Sequence, residues 1–515
     1  MPERLNLWNI PHWGEPLVYI GLGLAVLFCL VRFYRHARLW WRVGRPEMRW
    51  DRLHVRLGRL IKYAIVQTRV LGQRYPGIMH VALAWGFFVF FLGTALATID
   101  SHFFRILQGD AYLLYKLVLD AFTIFFLVGA VMAGYRRFVQ RPRRLTLQRG
   151  FALSLVLVVV IVVSGLLIES LRLAIQRPAW GPWSPAGWAV AQVWRATGAS
   201  DEVLRSAHLG MWVFHLSMVA LLFVTLPVGM LRHLVTGPLN VFFSRLDRPP
   251  GQLAPIANNA HGEPVYVSTL RDLTWKQLLE CDACVECGRC QDACPAFAAG
   301  TPLSPKALMV NLRTMLWRDG QALLNRDVVA PPLTGVLTDG MLWSCTTCGA
   351  CVRQCPLLID HLDVIVDLRR HLVMEGRMDE MLQDALANLG RYGNSFGQSE
   401  RARAKWTRDI EPKIKDARKE AVEYLWFVGD YASYSASLTA ITHQTAQVFQ
   451  NLGLDFGILY DGERNAGNDV RRVGEEGLFE MLVEKNVAAL EQCAFQAVVT
   501  TDPHSYHALK HEYPT

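Results

Sequence analysis

The N-terminus lacks the basic n-region and small-residue cleavage site of a signal peptide, because Glu3, Glu15 and Pro16 precede its first apolar run. A cleaved secretory leader is therefore not expected. Charged residues are also scarce, at 19% against 52% hydrophobic, and the shortage is concentrated in the first half. That composition is too apolar for an ordinary soluble protein and points to a membrane domain followed by a soluble one. The formal charge of +8 would suit nucleic acid. Most of the excess arginine, however, lies in short loops between apolar segments, where membrane topology accounts for it, so no nucleic-acid partner is expected. Only Cys29, Cys281 and Cys493 fall outside one repeated cysteine pattern.

That pattern organises the chain. Cys284, Cys287, Cys290 and Cys294 precede Pro295, and Cys345, Cys348, Cys351 and Cys355 precede Pro356. Each run is CxxCxxCxxxCP, the signature of a protein with two [4Fe-4S] clusters. In such pairs the fourth cysteine of one run reaches across to the other cluster. Cluster one is therefore assigned to Cys284, Cys287, Cys290 and Cys355, and cluster two to Cys345, Cys348, Cys351 and Cys294. Structural zinc would more usually show CxxC pairs separated by a longer loop, and disulfides are not expected in a reducing cytosol. Cys281 adds one more CxxC step outside the pattern and reads as a bystander, while Cys29 and Cys493 read as packing residues.

Five apolar segments are long enough to cross a bilayer: Leu17 to Phe33, Met79 to Ile99, Tyr112 to Ala133, Phe151 to Ile168 and Leu209 to Leu231. The loops after the first and third are strongly basic, running from Arg35 to Arg59 and from Arg136 to Arg149. The stretch from Ile175 to Ala207 carries Trp180, Trp183, Trp188 and Trp194 with few basic residues. The positive-inside rule then puts the N-terminus outside and everything after the fifth helix in the cytoplasm of a prokaryote. From Asp51 to Arg74, Leu53, Leu57, Leu60, Ile61 and Ile65 alternate with Arg52, Arg56, Arg59 and Lys62. This reads as an amphipathic helix on the inner membrane surface.

Histidine in a membrane helix is a functional hypothesis by default. His80 opens the second helix at its cytoplasmic end and His233 closes the fifth at the same end, as bis-histidine ligation of a b-type haem requires. His215 lies 18 residues before His233, which along one helix is roughly 27 Å higher; His208 is higher still, and His102 lies just past the outer end of helix two. The bland alternative is that these imidazoles only hydrogen-bond to backbone or cap helices. Five helices, an outside N-terminus, a histidine opening helix two and an 18-residue histidine pair on helix five resemble the cytochrome b (gamma) subunit of respiratory nitrate reductase. That family carries a second histidine ten residues along helix two, where this chain has Phe90. The resemblance implies one cytoplasmic-side haem on His80 and His233, and leaves His215 with His102 as the residues available for a second.

Acidic residues in the membrane are the other costly items. Asp120 is expected to be neutralised by Lys116 one turn earlier, and Glu169 to pair with Arg172. Both are also proton-relay candidates, since a quinone takes up two protons with its two electrons.

In the soluble half, Arg248 to Val265 reads as a linker. Helices are expected over Leu270 to Leu279, Pro305 to Trp317, Val364 to Met374 and Asp379 to Asn388, with a loop from Asp327 to Asp339. The long spacing between the cysteine runs favours a helical dicluster ferredoxin. Glu400 to Lys419 reads as a solvated or linker segment. Beyond it come strands at Tyr424 to Val428, Phe456 to Tyr460 and Ala497 to Thr500, and helices at Ser435 to Leu452 and Gly477 to Leu490, a small α/β domain. Its wording, VGDYASY, ERNAGNDVRRVGEEGLF and VTTDPHSYHALKHEYP, resembles the CCG repeat of the D-type heterodisulfide reductase family. That family places cysteines where this chain has Asp430, Asn465 with Ala466, Asp502 and Ser505, so the repeat is expected not to hold its noncubane cluster. The family carries a second repeat; here the chain ends at Thr515, so a partner or a missing segment would supply it.

The expected architecture is multi-domain. A five-helix membrane cytochrome b domain over residues 1–240 is followed by a linker over 241–270, an α-helical ferredoxin domain with two clusters over 271–400 and a degenerate CCG-like α/β repeat over 420–515. The combination resembles the membrane iron-sulfur oxidoreductases of the electron-transfer flavoprotein:menaquinone type. It implies an enzyme of electron transport that links such a flavoprotein, or another soluble redox partner, to membrane quinone through two clusters and haem b. Two alternatives stay open: a thiol-disulfide reductase component whose intact CCG repeat lies elsewhere, and a non-catalytic conducting anchor.

Overall fold

The computed structural model describes residues 2–514 apart from Asn6, Leu147, Asp247, Pro250 and Ala260; the chain end at Thr515 lies outside the described residues. Its first half contains five helices long and apolar enough to span a membrane: Gly14–Val43, Arg74–His102, Gly109–Gln140, Arg149–Gln176 and Asp201–Thr225. Their outward side chains are apolar, as Leu24, Leu30, Val131 and Leu153 illustrate, each more than 60% exposed. Such surface is stable only against lipid. Helices two and three approach closely because small residues face each other: a Cβ on Gly129 would stand 2.7 Å from Cβ of Ala82.

The fifth membrane helix ends at Thr225, short of the expected Leu231. Pro227 has no amide to donate to the preceding turn, and the chain reverses through Gly229, whose N–H donates to Thr225 O at 2.8 Å. His233 therefore does not close helix five. It opens a separate helix, His233–Phe242, so the height estimate drawn from one continuous helix does not carry over. The expected surface helix is also interrupted. Leu53–Leu60 continues into a wider turn, Ile61–Ile65, and then reverses at Gln67. The Trp-rich segment between the fourth and fifth membrane helices, expected as a loop, contains the helix Pro185–Ala196.

The cluster module is helical. Trp275–Ala283 starts with a reciprocal capping box between Thr274 and Gln277, and Pro305–Asp319 and His361–Met374 pack beside it around the largest apolar core. Leu39, Trp40 and Val43 from the inner end of membrane helix one join that core. Gly44 makes the junction possible: a Cβ there would meet the backbone nitrogen of Trp275 at 2.7 Å, and Trp275 N–H donates to Arg45 O at 2.9 Å. The stretch read as a linker is packed: Leu253, Val267 and Leu270 are buried, and Arg248 pairs with Asp363 at 2.6 Å.

The last region carries a parallel four-stranded sheet in the order β1-β3-β2-β4, with β1 Lys415–Asp416, β2 Tyr424–Phe427, β3 Phe456–Ile458 and β4 Ala497–Thr500. Helices Thr439–Asn451 and Glu476–Leu490 supply crossovers. Three strands coincide with the expected ones. The segment read as solvated instead contributes β1 and buries Ala402, Arg403, Ile410 and Ile414; its charges conceal spaced apolar anchors.

Candidate redox site

The two cysteine runs fold as copies of one loop. In the first, Glu286 (φ +54°) and Gly288 (φ +72°) are left-handed; in the second, Thr347 (φ +53°) and Gly349 (φ +68°) occupy the same places. Glycine supplies that conformation at no steric cost, and the residue two after the leading cysteine adopts it to turn its amide inward. Thr347 N–H accordingly donates to Cys345 Sγ at 3.3 Å. Such N–H···S contacts stabilise thiolate at iron.

Cys284, Cys287 and Cys290 line one cavity together with Cys355 from the other run. On the second side, Cys345 interacts electrostatically with Cys294 and Cys348, and Cys351 with Cys345 and Cys348. Cys284, Cys287, Cys290 and Cys355 thus line one space, although Cys355 comes from the other run. Among the described residues, no three or more His, Cys, Asp or Glu side chains converge closely enough to hold a single ion; the four thiols of the first group instead frame a space between them. Burial pushes the Cys284, Cys290, Cys345 and Cys351 thiols up and Cys355 to about 12. Thiols so buried ionise only where a cation offsets the charge, which is what cluster iron supplies. The donor set therefore fits iron-sulfur clusters.

The two sites differ in depth. Cys348 is exposed, whereas Cys284, Cys290 and Cys355 are buried. Around the deeper loop, Arg289 donates to the carbonyls of Arg69 and Val70 at 2.8 and 3.0 Å, and Arg69 donates back to Cys355 O at 3.0 Å. Arg289 lies within electrostatic reach of Cys287, Cys355 and His80. Cys281 sits inside its helix with Sγ on Gln277 O at 3.3 Å, Cys493 bonds Ala489 O at 3.2 Å, and Cys29 is buried in membrane helix one.

His80 and His233 face each other with ring centres 6.4 Å apart and planes at 49°. A metal held between two imidazole nitrogens at about 2 Å each separates the ring centres by roughly 6 Å, so the pair has the spacing of axial ligands. Both Nδ1 atoms are occupied, His80 by Gln67 Oε1 at 2.9 Å and His233 by Met230 O at 2.8 Å. Nε2 of each ring is the nitrogen that could ligate a metal between them. His215 and His102 are not brought together: His215 Nδ1 bonds Ser164 Oγ at 2.9 Å, and His102 Nε2 bonds Tyr19 OH at 2.6 Å. His208 packs edge-on against Trp8.

The expected acidic pairs are re-partnered. Lys116 forms its ion pair with Glu169, across helices, rather than with Asp120. Asp120 accepts from the backbone N–H groups of Ala186 and Gly187 at 2.6 and 3.0 Å. It thereby caps the start of the helix Pro185–Ala196, where free amides and the helix dipole favour a carboxylate. Arg172 donates to Tyr112 OH at 2.7 Å instead of to Glu169. The same-helix expectation for Asp120 failed because the unforeseen helix Pro185–Ala196 offered better donors.

In the CCG-like region the cysteine-equivalent positions form a polar network. Asp430 accepts from Asn465 Nδ2 at 2.9 Å and from Arg403 at 2.6 Å, Arg403 also holds Glu463 at 2.8 Å, and Ser505 donates to Asp502 at 2.6 Å. An internal ion network fills the place of thiolates.

Sequence reading missed Asp282, which is buried between Cys281 and Cys284. It accepts from Trp40 Nε1 and Trp317 Nε1, both at 2.7 Å, and stands 3.3 Å from His36 Nδ1. Arg232, next to His233, donates to Asp282 O at 3.0 Å. The sequence carried no distinct signal for Asp282, which is one of several charged residues in that run, with Glu280, Glu286 and Arg289. Gln67 carried none either.

Residues 280–359 match the 4Fe-4S dicluster domain family. The chain is 29% identical to the EtfAB:quinone oxidoreductase of Syntrophomonas wolfei over a 558-residue alignment covering 100% of this chain and 77% of that protein. It is 30% identical to the probable iron-sulfur-binding oxidoreductase FadF of Bacillus subtilis over 549 residues, 97% of this chain and 77% of that protein. A shorter match, 29% over 254 residues, reaches the D-type polypeptide of the dihydromethanophenazine:CoB--CoM heterodisulfide reductase of Methanosarcina barkeri, covering 47% of this chain and 60% of that polypeptide. No solved structure matches. Membrane helices, a dicluster module and a parallel α/β region in one chain, together with near full-length similarity to FadF, place it plainly: the chain belongs to the FadF family of membrane iron-sulfur oxidoreductases.

Proposed function

We propose that this oxidoreductase passes electrons between a cytoplasmic donor, an electron-transfer flavoprotein, and the menaquinone or quinone pool. Two [4Fe-4S] clusters and one b-type haem, when bound, supply the one-electron steps that link a two-electron flavin to a two-electron quinone. Cys284, Cys287, Cys290 and Cys355 would hold the first cluster, Cys345, Cys348, Cys351 and Cys294 the second, and His80 with His233 the haem. The observation that carries this reading is the 6.4 Å spacing of the His80 and His233 rings, beside the loop of Arg289 and Cys290.

The chain's own residues support a wire with two ends. Cys348 is exposed and marks the side open to a soluble donor. Arg69 and Arg289 lock the deeper loop onto the surface segment that also carries Gln67, so the first cluster site and His80 share one support. The basic inner loops favour an N-terminus outside and the cysteine module in the cytoplasm. The division at 1–240, 241–270, 271–400 and 420–515 is kept in outline, with the second segment packed against the cysteine module rather than a free linker and the α/β region extended back to take in β1. One haem is favoured over two, since His215 and His102 have separate partners. Asp120 and Glu169 read as structural groups, because each is committed to a cap or an ion pair.

A disulfide-reducing role is disfavoured by oxygen and nitrogen groups where thiolates would be needed at Asp430, Asn465, Asp502 and Ser505. The test is anaerobic. Reduced electron-transfer flavoprotein should reduce the haem absorbance of the purified chain, and a menaquinone analogue should reoxidise it. A haem that responds to the flavoprotein but never to quinone would favour the conducting-anchor alternative, and absence of haem absorbance would refute the reading.

A further inference from the structure

A cleft of about 360 Å³ opens where the inner end of membrane helix one meets the surface helix and the segment after His233–Phe242. Arg49, Arg56, Arg245 and Arg248 line it against Glu47 and Asp51, and Asp360 also reaches Arg248 from behind at 3.5 Å. Arg56 is fully used, donating to Phe242 O, Ser244 O and Asp51. Arg245 and Arg248 share Asp363 behind the cleft at 2.7 and 2.6 Å. Arg49 is different: it is only 7% exposed and gives one N–H to Glu47 Oε1 at 2.5 Å, yet its Nε has no hydrogen-bond partner. Nε of Arg248 and Oε2 of Glu47 are likewise unpartnered.

Buried guanidinium N–H groups without an acceptor are costly. Two of them in one arginine-lined cleft call for an anion with several oxygens, and an unused carboxylate oxygen beside them suits a hydroxyl donor. The rim says where that ligand comes from. Met48 is 79% exposed, Trp50 56%, and Leu53 and Leu57 53% each. Exposed apolar side chains beside a basic helix suit the level where headgroups meet acyl chains. Basic pockets at that level on the cytoplasmic side are suited to acidic headgroups.

We propose that this cleft binds the phosphate of an anionic phospholipid with a hydroxyl-bearing headgroup, of the phosphatidylglycerol class. Arg49 is the principal donor to the phosphate, and Glu47 accepts from the headgroup hydroxyl. Because Arg245 and Arg248 also hold Asp363 on the helix His361–Met374, the bound headgroup clamps the cysteine module to the bilayer. The site is independent of any haem.

Full-length protein in neutral detergent is titrated with phosphatidylglycerol, phosphatidylcholine or inorganic phosphate, and bound ligand is read by native mass spectrometry. Phosphatidylglycerol should bind and phosphatidylcholine should not. Arg49→Gln should weaken binding about five-fold, and Glu47→Gln, which removes the charge that opposes the phosphate but keeps an amide oxygen to accept the headgroup hydroxyl, should tighten it by about the same factor. A merely structural Arg49–Glu47 pair would move both variants the same way, and that result overturns the proposal. Equal binding of the two lipids also overturns it. Binding of inorganic phosphate as tight as that of the lipid would assign the cleft to a soluble anion and overturn the lipid assignment. Unchanged iron content in both variants confirms that they are folded.

Discussion

Gln67 Oε1 lies 2.9 Å from Nδ1 of His80, at the point where the surface helix reverses with a left-handed residue (φ +59°). The amide oxygen accepts from an Nδ1–H tautomer of His80, which leaves Nε2 as the nitrogen open to a metal. Loss of such a partner typically weakens metal affinity 10–100-fold. Gln67→Leu is expected to lower haem retention at least about ten-fold, measured as the haem-to-protein ratio after dilution, and to leave cluster iron unchanged. Unaltered haem retention would show that Gln67 does not position His80.

The crossed cysteine sets predict paired phenotypes. Cys355→Ser should abolish the same paramagnetic signal as Cys284→Ser, although the two residues lie in different runs. Cys294→Ser should match Cys345→Ser. Electron paramagnetic resonance of the reduced variants checks this. Signals that sort by run rather than across runs would refute the ligand assignment.

The CCG-like region is held by charge rather than by metal. Arg403 is 3% exposed and bridges Asp430 and Glu463. Arg403→Leu leaves two buried carboxylates facing each other, a loss of about 3–5 kcal/mol. Denaturant unfolding of the variant should show early loss of the C-terminal region while the visible iron-sulfur absorbance persists. Iron chelation should have the opposite pattern, bleaching the absorbance and leaving the sheet.

Much of this was legible in the sequence because the signals were local. Cysteine spacing marked both loops, apolar runs marked five membrane helices, and alternating strand and helix patterns located three of four strands. What escaped was non-local. Pro227 ended helix five early, and His233 reached His80 only through the turn that followed. Asp120 found its donors on a helix that the tryptophan-rich segment had concealed. Gln67 and Asp282 owe their roles to neighbours far along the chain, such as His80, Trp40 and Trp317, and spacing cannot report such pairings. Arg403 was hidden by the charges around it, which made a packed segment look solvated.

The central claim is that His80 and His233 clamp one haem next to the first cluster site. The direct measurement is the low-spin haem spectrum of the purified chain with its haem, non-haem iron and sulfide content, set beside Ala variants of each histidine. One bis-histidine haem per chain is expected, reduced through the clusters and absent from both His80→Ala and His233→Ala while cluster iron stays constant. A haem that survives both substitutions, or a chain with full clusters and none, would contradict it.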